Sequence, residues 1–138
     1  MHSSVNNLLL IKEQLNKKNS RANIIAVSKT FSIDKISPLL DFEHYHFGEN
    51  KIQEALDKWM DLKKNNDKIQ LHMIGKLQSN KVKFAVQLFD YIHSLDSLKL
   101  ARKIAEEQKK QNKKIKLFIQ VNIGEEKQKN GIPAREVE

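Results

Sequence analysis

Cysteine is missing from this chain of 138 residues. That removes disulfide frameworks and thiolate metal sites, and it makes a reducing, cytoplasmic setting the expectation. No apolar run approaches the roughly 18 residues a spanning helix needs, so no membrane span is expected. The opening stretch "MHSSVNNLLLIKEQLNKK" has no basic segment ahead of its short apolar patch and no small-residue cleavage site. It reads as helix rather than signal peptide. Arginine is scarce: only Arg21, Arg102 and Arg135 occur, so the formal charge of +8 rests almost wholly on lysines scattered over helix faces. Nucleic-acid sites favour arginine and exposed aromatics gathered on one surface, and no specific nucleic-acid partner is expected. Walker loops, GxGxxG and GxSxG are absent too, which removes the common phosphate cradles and the nucleophile elbow.

What is present is a regular alternation. Val5, Leu8, Leu9 and Leu15 make a helical stripe over 5–17. Short apolar runs predict strands at 23–29, 44–48, 69–75, 91–95 and 115–124, with amphipathic segments between them. Ser32 predicts an N-cap for a helix that Pro38 should shorten or kink. Ile52, Ala55, Leu56, Trp59 and Met60 mark a helix over 51–64, and "KKNNDK" (63–68) reads as loop. Asp96 or Ser97 caps the next helix, and "AREVE" looks like the start of another. The pattern predicts an N-terminal helix followed by five strand–helix units in one domain, 1–138, with a parallel sheet. Such a chain could be a complete doubly wound sheet of the flavodoxin type, or the first five units of an eight-fold (β/α)8 TIM barrel.

Either architecture places its ligand at the carboxyl ends of the strands. Candidates there are Ser28, Lys29 and Thr30; Gly48, Glu49 and Asn50; Gly75 and 78–80; Asp96; and Asn122, Glu125, Glu126 and Lys129. Lys29 alternates with Val27 and Ile25, so the three share one side of a strand. An amine at the rim of an apolar cavity loses solvation, and its neutral form can condense with an aldehyde as a Schiff base. A strand-end lysine snorkelling to water is the plainer alternative. Asn50 can cap a helix, with Gln53 completing a capping box, or it can face a ligand. His44, His46, His72 and His93 lie on or beside three strands, but no acidic partner sits at ligand spacing and no metal is expected. His72 shares a face with Ile74 and can reach an interior site.

Taken in order, "AVSKT", "FGENKIQEALDK", "HMIGKLQSNKVK", "IHSLDSLKLA" and "VNIGEEKQKNG" resemble the pyridoxal phosphate homeostasis protein family. Its members are single-domain barrels similar to the N-terminal domain of alanine racemase. The resemblance covers nearly the whole chain and favours the partial barrel over the flavodoxin-type sheet. It implies that Lys29 holds pyridoxal 5′-phosphate, and that Asn50, His72, Asn122 and Lys129 face the cofactor. It implies a protein that binds, stores and hands over the cofactor in vitamin B6 homeostasis without a turnover reaction. Pyridoxal-phosphate-dependent apo-enzymes are the partners this suggests.

Three departures accompany the resemblance. Glu43 stands where the family usually has a glycine closing the first barrel helix. Phe31 and Ser32 follow "SKT" where a lysine and a proline are usual. Family chains also continue for about three more strand–helix units, carrying the loops that hold the phosphate. This chain therefore reads as a truncated or split form, and weak cofactor binding and poor solubility are expected of it alone. A racemase- or decarboxylase-like enzyme would need an acid/base group opposite Lys29, for which the sequence offers His72 or His93. A basic RNA- or anion-binding module would survive loss of Lys29.

Overall fold

The computed structural model describes residues 2–124 and 130–137. Helix α1 (Ser3–Lys17) precedes β1 (Ala26–Val27), α2 (Ile33–Asp41), β2 (His46–Glu49), α3 (Ile52–Asn65) and β3 (Gln70–Met73). The chain continues through α4 (Val82–Leu88), β4 (Tyr91–Leu95), α5 (Leu98–Gln111) and β5 (Lys116–Ile119). Strands β1 to β5 form one parallel sheet in chain order, β1-β2-β3-β4-β5. The alternation predicted five strand–helix units; the sheet contains the five strands, and among the described residues an α-helix follows the first four of them. Two short strands, β6 (Val121–Asn122) and β7 (Ile132–Pro133), pair separately.

The sheet has two unlike faces because side chains alternate along each strand. Phe47 and Glu49 of β2, Leu71 and Met73 of β3, and Ile92 of β4 turn toward the helices and are fully or almost fully buried. There they meet Ala55 and Trp59 of α3 and Ala85 and Val86 of α4. Trp59 is completely enclosed, its ring 4.9 Å from that of Phe47. Burying an indole of roughly 200 Å² at about 25 cal/mol per Å² contributes about 5 kcal/mol before entropy. We call this the outer face.

The other face carries Val27, Gly48, His72 and Tyr91 side by side in register. In a closed barrel it would be the inner wall. On this face Val27 and Phe118 are each about half exposed (50% and 51%), while His72 is buried.

Several local expectations are corrected. Helix α2 runs on past Pro38 to Asp41. The ring leaves the Asp34 carbonyl without its helical donor, and the Ser37 hydroxyl donates to it at 3.4 Å. Helix α3 extends to Asn65 and takes in residues assigned to the loop. The single strand over 115–124 is two, because β6 leaves the main sheet to pair with β7. The segment "AREVE" forms a 3-10 turn, Ala134–Glu136. Of the two capping candidates for α5, Ser97 takes the position as expected, accepting from the Leu100 amide at 3.1 Å. Glu43 takes the left-handed conformation (φ 61°) that a glycine would adopt freely. The helix end is thus kept at the cost of some backbone strain.

Candidate functional site

Strand β1 is short, and its carboxyl end is held in place by the outer face. The Ser28 amide donates to the Gly48 carbonyl at 3.0 Å. Its hydroxyl donates to Glu49 at 2.5 Å. Glu49 is completely buried, and its carboxylate also receives the Lys58 ammonium at 3.0 Å and the Trp59 indole N–H at 3.1 Å. Lys58 Nζ returns to β1 by donating to the Ser28 carbonyl at 2.8 Å. A carboxylate in a dry interior is costly unless paired and hydrogen-bonded, and this one is both.

Lys29 follows Ser28 on the opposite side of the backbone, the side of Val27 and the inner face. It is exposed. The apolar shelter expected around its amine is therefore not found. Thr30 then turns the chain, in left-handed backbone geometry (φ 67°) that a β-branched residue seldom adopts. Its amide donates to both oxygens of Glu54, at 2.9 and 3.1 Å.

Asn50 follows directly on β2, at the level where Lys29 leaves the sheet. The capping box, one of the two readings open for Asn50, does not form: Lys51 is the N-cap of α3 without a side-chain bond, and Gln53 donates instead to Asp57 at 3.0 Å. The Asn50 side-chain oxygen is buried and has no partner among the described residues. Gly75 presses against it from the end of β3, where an added Cβ would lie 2.6 Å from the Asn50 carbonyl oxygen. Asn50 also borders a cavity of about 270 Å³ ringed by Lys51, Lys76 and Lys81.

The inner face holds a row of histidines. His46 Nδ1 is hydrogen-bonded to His72 Nε2 at 2.9 Å, and His72 Nδ1 to His93 Nε2 at 2.9 Å. The His72 ring also stacks on Tyr91, with centroids 4.1 Å apart, and His93 stacks on Phe118 at 4.6 Å. Burial, with help from the positive charge His93 and His46 would carry, lowers the His72 pKa from the usual 6.5 to about 4. His72 is therefore neutral, with one N–H to give and one lone pair to receive, and both are used in the row. No ring nitrogen of His72 is left for a ligand. His44 stands apart, bonded to the His46 carbonyl. No group of three metal-ligating side chains occurs among the described residues.

The predicted set is thus brought together in part. Lys29 and His72 lie on the inner side of the sheet, and Lys29 and Asn50 lie at its carboxyl end. Asn122 lies on β6, outside the main sheet. Lys129 lies outside the described residues, as do Glu125 and Glu126. Sequence reading missed Glu54 and Lys58, which serve the site from α3. Their signal was present, since 54 and 58 are one helical turn apart on the face following Glu49. No helix among the described residues is long and apolar enough to cross a membrane.

Comparison with known proteins places this arrangement in context. Residues 3–138 match the family described as "Alanine racemase, N-terminal domain". The pyridoxal phosphate homeostasis protein of Buchnera aphidicola is 38% identical over 133 residues, covering 91% of this chain and 58% of that protein. The structure of PipY from Synechococcus elongatus without pyridoxal phosphate superposes with a TM-score of 0.75 at 35% identity, over 87% of this chain and 57% of that one. PipY with pyridoxal phosphate bound gives a TM-score of 0.68 at 34% identity, over 80% and 53%. The chain spans little more than half the length of these relatives. Its fold is the matching part of an alanine-racemase-like barrel.

Proposed function

Because this chain belongs to the alanine racemase N-terminal domain family, we propose that it binds pyridoxal 5′-phosphate, joined through the aldehyde carbon to Lys29, in vitamin B6 homeostasis. The carrying observation is an exposed primary amine at the carboxyl end of β1, on the inner side of the sheet. PipY with the cofactor bound supports the choice of ligand.

The residues present fit the aldehyde end of such a ligand. Lys29 Nζ would hold the group through its aldehyde carbon, the amine serving as the nucleophile that this end of the ligand calls for. The unpartnered Asn50 oxygen supplies an acceptor for a ring hydroxyl or a protonated nitrogen. His72 belongs to the wall of the site through its place in the histidine row, since its nitrogens are engaged. Asn122 and Lys129 complete the proposed set on the strength of the resemblance. The bound cofactor supplies a reactive aldehyde, and the protein's part is to hold and release it.

A turnover reaction finds little support in the described residues. It would need a proton donor facing Lys29, and the inner-face tyrosine, Tyr91, sits at the amino end of β4, within 3.3 Å of Lys116. We therefore propose holding and delivery of the cofactor to apo-enzymes rather than catalysis, in a cytoplasmic setting.

Borohydride trapping followed by peptide mapping tests the proposal. A reduced phosphopyridoxyl group is expected on Lys29 and lost in Lys29→Ala. Label spread evenly over the surface lysines would reject a dedicated site.

A further inference from the structure

Lys29 itself takes no side-chain hydrogen bond among the described residues, while both of its chain neighbours are bound to carboxylates. Ser28 gives its hydroxyl to Glu49, and its carbonyl receives Lys58. Thr30 gives its amide to Glu54 in a two-oxygen contact. Lys58 lies between the two acids, 3.0 Å from Glu49 and 3.8 Å from Glu54. The group is anchored below by the Trp59 indole and sealed from water at Glu49 and Lys58, whose side chains are 0% and 8% exposed.

Two features of this group are hard to explain as packing alone. Charged groups were taken out of water where apolar residues of similar volume would serve stability as well or better. A β-branched residue is also held in left-handed geometry at Thr30, and such strain persists only where surrounding contacts over-determine it. Both features fix the same three residues, whose central side chain is the one sent to the inner face.

We propose that Glu49 and Glu54, bridged by Lys58, form a clamp on the Ser28–Lys29–Thr30 turn that sets the direction in which the Lys29 amine is presented to an aldehyde. This rests on the reading of Lys29 given above. Glu49, Glu54 and Lys58 are positioning residues: they act through the backbone on either side of Lys29 and touch no ligand. Freed from the clamp, Thr30 relaxes out of its left-handed state. The last peptide of the strand then rotates, and Lys29 swings away from Asn50. Lys29 keeps its chemistry and loses its distinction from the other surface lysines.

Glu54 is the variant site of choice, being partly exposed (29%) and dispensable to the core. The full chain, Glu54→Ala and Glu54→Gln are treated with pyridoxal, which lacks the phosphate, then reduced with borohydride and mapped. Amide exchange at Thr30 is followed in parallel without any aldehyde. In Glu54→Ala, exchange at Thr30 should rise at least about tenfold and the share of label on Lys29 fall at least about threefold, with an unchanged melting curve. Glu54→Gln, whose amide oxygen still accepts from the Thr30 N–H, should recover most of both. Wild-type labelling of Lys29 that persists in Glu54→Ala overturns the clamp alone. Absence of Lys29 labelling in the wild type overturns the reading of the site, and unchanged Thr30 exchange then overturns the clamp as well.

Discussion

The two faces of the sheet each bury a polar network, and the two are held by opposite means. On the outer face Glu49 and Lys58 meet as charges, with Ser28 and Trp59 filling the remaining hydrogen-bonding positions. On the inner face His46, His72 and His93 meet as neutral rings, and the central one is kept neutral by burial. Removing one member of the first leaves a naked charge in a dry interior. Removing one member of the second leaves only a neutral nitrogen unpaired. The first network should therefore be brittle and the second forgiving, although both look fully bonded.

Lys58→Met should break this contrast most visibly. It strips Glu49 of its counter-charge and should cost about 3–5 kcal/mol by urea unfolding, with Glu49→Gln/Lys58→Met recovering much of the loss. A double mutant no more stable than the single one would remove the charge argument. Gly75→Ala attacks the junction of the faces. Its methyl must displace the Asn50 backbone, 2.6 Å away, for about 1–3 kcal/mol, and Lys29 labelling should fall with it. His72→Phe keeps the stack on Tyr91 and deletes both ring bonds. A loss of only about 1–2 kcal/mol is expected.

The same histidine sets a pH dependence. Its folded pKa, about 4, lies below the unfolded value of 6.5, so between these limits the unfolded chain binds the extra proton. Its contribution is whole above about pH 6.5 and is lost progressively as pH falls toward 4. Burial lowers His44 and His93 in the same direction. Denaturant midpoints against pH should slope less steeply in His72→Phe. The smallest effect belongs to a control outside both networks: Glu43→Gly relieves a left-handed residue and should add about 0.5–1 kcal/mol.

The strand–helix order was legible because each unit pairs an apolar run with a 3.6-residue stripe, as at "IQLHMIG" and Ile52 to Met60. Lys29 was legible as a strand-end cation on the side of Val27. Its exposure matches the plainer alternative of a strand-end lysine reaching water, and the apolar shelter was the part that local sequence could not supply. At Asn50 the sequence left a capping box and a ligand-facing side chain both open, because local spacing suited the box and could not show that Gly75, distant in sequence, crowds the same residue. The histidine row was visible only as four scattered histidines. It needs the parallel register that sets Gly48 beside His72 and His72 beside Tyr91. Glu54 and Lys58 were not singled out in the sequence, because their partners Ser28 and Thr30 lie in a distant segment.

Every strand of the main sheet adds to the outer flank of the one made just before it. A nascent chain leaving the ribosome can therefore zip each unit onto the last as it emerges, with no late segment needing to wedge between two early ones. Synthesis and assembly run in the same direction, and the growing rim is always the newest strand.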